Sequence, residues 1–269
     1  MDWLTRYAAD LHQAALIGTM ALGLLLEAMA PLRRGEGTST RRWLTNLGLS
    51  WVNYRMILWL GPWLYLWAQS TLSGFPDGLL PRLHANFGVS VLVVLLSLEA
   101  VAYIQHRASH RFQILWRLHA VHHSDIALDV TTAERHHPIE VVFTATLNLL
   151  TMLLLAPDMA VVVVCNLLST VVNILSHANL TCGERVNRWF GWLVVTPDFH
   201  RVHHASDRGS TNSNYGTVFS LFDHIFGTAK LWTSSQQRDE QLGLEYFRAP
   251  SDSRLDQLLL MPIRSEFTR

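Results

Sequence analysis

Stretches at about 13–30, 47–69, 86–105 and 139–176 are close to continuously apolar. A helix crossing a bilayer needs roughly 20 such residues, so each of the first three predicts one membrane helix. The fourth is long enough for two passes, and Ala156-Pro157-Asp158 supplies a turn within it. A hairpin of two helices is therefore expected, the second containing Val161 to Val164 and Cys165. It either spans the membrane or dips in and returns. In both cases residues before 139 and after 176 emerge on one side. Composition agrees: 49% of residues are hydrophobic and 16% charged, as in membrane proteins rather than soluble domains.

Lys and Arg together number 21 and so do Asp and Glu, with Lys230 the only lysine, so net charge does not speak for nucleic acid as a partner. Charge placement does speak to orientation. The loop Pro31 to Arg42 carries Arg33, Arg34, Arg41 and Arg42 against Glu36, which predicts a cytoplasmic loop. Two crossings later, residues from 106 onward are cytoplasmic too. The opposite loop, about 70–85, holds only Arg82 and Asp77. The first apolar run follows Asp2, Arg6 and Asp10 rather than a basic segment, so it reads as a retained anchor. A bacterial inner membrane suits the chain better than endoplasmic reticulum. Trp59, Trp63 and Trp67 form a stripe that serves packing or an interfacial belt. Residues 1–105 read as anchor helices, 106–230 as the chemical region and 231–269 as a polar tail with an apolar patch at Leu258 to Met261.

Twelve of the fourteen histidines follow residue 105. His106 and His110 form H-x-x-x-H; His119, His122 and His123 form H-x-x-H-H; His200, His203 and His204 repeat that pattern. Positions i, i+3 and i+4 share a helical face, so each cluster aims two or three imidazoles at one point. His12, His84 and His224 stand alone and read as ordinary hydrogen-bonded residues. Burying eight imidazoles with few carboxylates is unfavourable unless something organises their lone pairs. Metal does so, and eight is about twice what one zinc needs, which points to two metal ions. Cys165 and Cys182 support neither a disulfide framework nor a thiolate site. A histidine-rich membrane protein that stores or transports metal without oxygenase activity is the competing reading, but it would place ionisable residues along the membrane helices rather than at their ends.

Several motifs between about 100 and 230 carry a family resemblance. They are His106-Arg107-Ala108-Ser109-His110, Leu115-Trp116-Arg117-Leu118-His119-Ala120-Val121-His122-His123-Ser124, and Arg135-His136-His137-Pro138-Ile139-Glu140. Ser176-His177-Ala178-Asn179, Thr196-Pro197-Asp198-Phe199-His200-Arg201-Val202-His203-His204, Asn214-Tyr215-Gly216 and Phe226-Gly227-Thr228 continue the likeness. Together they resemble the fatty acid hydroxylase/sterol desaturase superfamily. The resemblance implies an all-α integral membrane protein with a cytoplasmic histidine-box helical cap. It implies two Fe ions, with zinc able to substitute in purified protein, and O2 as oxidant. As metal ligands it implies His106, His110, His119, His122, His123, His200, His203 and His204, completed by His137 and His177. Asn173 reads as a helix-packing amide that can also reach the centre through water. Asp125, Glu134, Asp198 and Asp223 are candidates to orient the ligands.

Aliphatic C–H bonds lack polarity, and no nucleophile elbow or paired-carboxylate signature is present, so oxidising metal chemistry must open them. The expected activity is O2-dependent hydroxylation or desaturation of a sterol or fatty-acyl type lipid, with the two outcomes undistinguished. No G-x-G-x-x-G, iron–sulfur or haem motif is present. Electrons must then come from a separate donor, a ferredoxin or cytochrome with its reductase. Pro138 holds His136 and His137 extended, so their side chains point in opposite directions. The resemblance assigns the inward one to His137.

Overall fold

The computed structural model describes residues 2–35, 40–72 and 78–267. Glu36 and Asp77 lie outside the described residues. The helices that frame the site are α1 (Ala8–Met29), α2 (Thr40–Thr71), α3 (Phe87–Arg111), α4 (Gln113–His123), α5 (Pro138–Leu155), α6 (Met159–Ser176), α7 (Pro197–His203) and α8 (Leu255–Leu260). The other described helices have seven residues or fewer, Glu184–Phe190 being the longest, and no strand occurs among the described residues beyond isolated bridges joining Val194 to Phe219 and Ala205 to Leu242.

Four of these helices, α1, α3, α5 and α6, are long and apolar enough to cross a membrane. The expected span at 47–69 falls in α2, which is not among the four: Asn53, Tyr54, Arg55, Tyr65 and Gln69 interrupt its apolar run. At 32 residues α2 is nevertheless about 48 Å long, and Trp59, Trp63 and Trp67 all face outward from it. The predicted hairpin is present as α5 and α6, each 18 residues or about 27 Å. Its turn depends on Ala156 in the left-handed region (φ 46°) and on Gly78, where a side chain would collide with Ala156. Laterally, α6 packs between α1 and α3, and α5 packs between α3 and α2.

The C-ends of α1, α3 and α6 and the N-ends of α2 and α5 meet at one cap. Glu27 near the end of α1 accepts from the Val130 and Asn179 amides at 3.0 and 2.9 Å. Arg42 at the start of α2 is buried, ion-paired to Asp125 at 2.6 Å and to Asp129. Arg135, fully buried, donates to Val121 O, Asn46 Oδ1 and Ser124 Oγ. Removing one member of such a buried set leaves an uncompensated charge. Arg33, also buried, donates from Nε to Gln237 O at 3.0 Å, so Arg33 and Arg42 both have structural roles that their sequence context, as loop charges, did not reveal. The C-terminal segment also departs from expectation. Leu258 and Met261 are fully buried against Leu49, Ala120, Val121, Leu244 and Phe247, so residues 244–261 close the cap over α2 and α4 instead of forming a polar tail.

Candidate metal centre

Four elements deliver the histidines. The last turns of α3 supply His106 and His110, and α4 supplies His119, His122 and His123. His177 caps the C-end of α6, while α7 supplies His200 and His203 and ends on His204. The start of α7 is set locally: Thr196 Oγ1 accepts from the Phe199 amide at 3.1 Å and Pro197 occupies the first helical position.

The rings sort into two groups in which one nitrogen per residue lies within 4.8 Å of all the others. The first holds His106, His110, His119, His123 and His203; the second holds His122, His177, His200 and His204. Helical geometry explains the division. Residues i and i+4 are about 40° apart around the axis and i+3 sits about 100° from i+4. His119 and His123 therefore share the first group while His122 crosses to the second. In α7 the pattern is mirrored: His200 and His204 join the second group, and His203 crosses to the first. Each H-x-x-H-H segment thereby contributes to both.

The nitrogens are disposed as ligands would be. In the second group Nε2–Nε2 separations are 3.3 Å for His122 and His177, 3.0 Å for His177 and His200, and 3.1 Å for His200 and His204. His119 and His123 are 3.1 Å apart in the first. Two nitrogens each about 2.1 Å from one ion and at right angles to each other are about 3.0 Å apart. Nε2 of His106, His110 and His203 is buried without any hydrogen-bond partner, an unfavourable arrangement for a polar atom that a metal would relieve.

Several rings are held from behind through Nδ1. His106 donates to Tyr215 O, His203 to Ser213 O and His177 to Asn173 O, each at 2.7 Å. His119 Nδ1 lies 2.6 Å from Glu140 Oε1. With Nδ1–H donated outward, the Nε2 lone pair faces the cluster. Burial, followed by the surrounding imidazoles, holds His122, His123, His200 and His204 well below the ordinary histidine range. Burial pushes His203 down to about 3 and His177 to about 4. Neutral imidazoles are the form that binds metal.

The 213–216 strap, which supplies two of those carbonyls, is itself pinned. Asn214, at φ 54°, donates to Phe199 O and Lys230 O at 2.7 and 2.8 Å. Asp223 accepts from the Tyr215 and Gly216 amides at 2.8 and 2.7 Å. Gly216 is required there, because a side chain would strike the Phe219 carbonyl.

Of the ten histidines expected as ligands, the structure gathers nine and leaves out His137. The extended His136–His137 pair does alternate, but in the opposite sense to that expected. Pro138 begins α5 and leaves the Ile139 amide without a helical partner; His137 Nδ1 accepts from it at 3.2 Å and Nε2 lies 3.2 Å from Leu259 O. Both nitrogens are thereby engaged in capping. His136 turns inward instead, its ring stacked on His122 at 4.3 Å and its Nδ1 3.5 Å from Glu140 Oε2. The Asn173 carbonyl, not its amide, orients His177. None of Asp125, Glu134, Asp198 and Asp223 hydrogen-bonds an imidazole: Asp125 binds Arg42, Glu134 binds Ser50, Asp198 binds Arg201, and Asp223 acts through the strap. Glu140 fills the role sought among them. Its sequence signals were its place at the end of the Arg135–Glu140 motif and in the first turn of a helix whose start follows a pair of histidines.

The site is open on one side of the first group. His110 is half-buried, and its ring borders a cavity of about 260 Å³ with Arg111, Trp116, Arg208 and Tyr246. It also borders a second cavity, of about 700 Å³, lined by Ile104, Phe112 and Phe226.

The Fatty acid hydroxylase family profile matches residues 91–228. An ornithine lipid hydroxylase of Rhizobium tropici is 30% identical over 138 residues, 51% of this chain and 41% of that protein. An alkylglycerol monooxygenase of Caenorhabditis elegans is 30% identical over 128 residues, covering 47% of this chain and 24% of its own length. A very-long-chain aldehyde decarbonylase of Oryza sativa subsp. japonica is 30% identical over 138 residues, covering 48% and 21% respectively. The chain thus spans less than half the length of these relatives. No solved structure matches it.

Proposed function

This chain belongs to the fatty acid hydroxylase family, and from that premise we propose that it is an integral membrane di-iron oxygenase acting on a lipid. The reading is carried by one observation: two adjacent groups of buried imidazoles with convergent Nε2 atoms, at the cap end of helices apolar enough to cross a membrane. His106, His110, His119, His123 and His203 would hold one iron, and His122, His177, His200 and His204 the other. When bound, the two irons supply the oxidising power to open an unactivated C–H bond with O2.

The protein's own groups prepare that chemistry. Glu140 and the Ser213, Tyr215 and Asn173 carbonyls fix ring orientation and tautomer. Burial keeps water from most of the imidazoles. The cavity beside His110 admits an apolar chain along Ile104, Phe112 and Phe226. In a hydroxylation one oxygen atom enters the lipid and the other leaves as water, with two electrons and two protons drawn from outside. A separate ferredoxin or cytochrome is the proposed electron source. Residues 106–230 are taken as the catalytic region, and the arginines of the 31–42 segment favour a cytoplasmic site.

Two measurements test the reading. Anaerobic reconstitution with iron should give about two ions per chain, and cells carrying the gene should contain a lipid heavier by one oxygen atom, or lighter by two hydrogens, than cells without it. One ion or none, or an unchanged lipid profile, would remove the oxygenase assignment.

A further inference from the structure

Arg107 and Arg111 take no part in holding the imidazoles. They follow His106 and His110 by one residue, lie four apart on α3, and are both exposed. Among the described residues neither guanidinium is hydrogen-bonded or ion-paired. Both line the 700 Å³ cavity that reaches His110, and no carboxylate lines it with them. Its mouth is apolar: Ile104, Phe112 and Phe226 are 66%, 60% and 55% exposed. Along α3, Ile104 lies toward the middle of the helix and Arg111 toward the cap, about 10 Å away. Phe112, one residue past Arg111, lines the cap end, while Ile104 and Phe226, which stacks on Tyr103, line the membrane end, so an occupant must complement two cations near the cap and extend an apolar part toward the membrane.

We propose that this cavity receives a lipid with an anionic, phosphate-bearing headgroup, the phosphate held between Arg107 and Arg111 beside His110 and the chain running along Ile104 and Phe226 toward the membrane end. The proposal rests on the lipid-oxygenase reading and names the substrate class of that site. Guanidinium groups match phosphate oxygens in pairs. A headgroup without phosphate would leave the two cations uncompensated beside an apolar opening, and a choline phosphate would bring a third cation beside them. Arg111, in the last turn of α3, also favours the helix dipole, but that role selects no lipid, so selectivity separates the two.

The test is native mass spectrometry of the full-length protein in detergent, offered phosphatidic acid, phosphatidylcholine and diacylglycerol of identical chains. Phosphatidic acid should be retained over both others, and Arg107→Gln with Arg111→Gln should lower that preference by about thirtyfold, on the scale of two interfacial cations. Arg185→Gln with Arg188→Gln, exposed and away from the cavity, should leave it unchanged. Equal retention of the three lipids by the unaltered protein would overturn the proposal. So would an unchanged preference in the first double variant, or an equal fall in the second, which would reflect surface charge alone. Both arginines are exposed, and unchanged helicity and metal content confirm that each variant is folded. Retention is read without turnover, so lipid binding without lipid oxidation would remove the oxygenase reading and leave this one standing.

Discussion

The two histidine groups differ in how they meet their surroundings. In the first, His110 is half-buried and borders two cavities, and carbonyls of the 213–216 strap and the Glu140 carboxylate hold three of the rings from behind. In the second, all four rings are buried; only His177 has its Nδ1 held, while Nδ1 of His122, His200 and His204 has no hydrogen-bond partner. The first group is open and braced by polar partners, and the second is closed and braced by packing. An open site exchanges ligands faster than a closed one, so under the proposed function substrate approach is expected on the side of His110.

The largest effect expected is from ligand loss. His203→Ala should empty the first group and His204→Ala the second, each leaving about one iron per chain and abolishing turnover. Elemental analysis of the two variants reads this directly, and two irons retained in either would break the division. Metal removal sharpens the comparison: a chelator should extract iron in two phases, the faster belonging to the first group. His204→Ala should then retain the fast phase and His203→Ala the slow one. A single phase in the unaltered protein would contradict the difference in access.

Glu140→Gln should weaken iron binding about 10- to 100-fold at the first group, the range for losing a carboxylate behind a ligating imidazole. Binding at the second group should be little changed. Titration of the metal-free protein, site by site in the His203→Ala and His204→Ala backgrounds, distinguishes this from a general loss of fold. The smallest effects concern the adjacent pair. His137→Ala removes a helix cap and should lower stability by about 1 kcal/mol with both irons kept. His136→Ala should disturb the second group through His122 while leaving the unfolding midpoint nearly unchanged. The reverse pattern in thermal unfolding and metal content would return His137 to the ligand set.

The hairpin and the helices at 13–30 and 86–105 were legible because continuous apolarity of this length has one backbone solution in lipid. So were the eight box histidines, whose i, i+3 and i+4 spacing is a property of the helix itself. α2 was harder to read: its arginines and asparagines look like loop and surface residues until Asp125, Asp129 and Thr131 are brought against them. The burial of Leu258 and Met261 was hidden for the same reason, since their partners Leu49 and Val121 are remote in sequence.

By itself the sequence determined an all-helical chain with apolar helices long enough to cross a membrane, the faces on which the histidines stand, and that His136 and His137 must point apart. These follow from local geometry, set by the repeat of a helix or of an extended strand. Only the tertiary structure decided which imidazole belongs to which group, that Glu140 stands behind His119, and that His136 rather than His137 turns inward. Those outcomes depend on what lies opposite each side chain: a free helix amide for His137, the His122 ring for His136, a strap carbonyl for His106 and His203. Contacts between residues far apart in sequence follow from how whole helices pack, which no local spacing encodes.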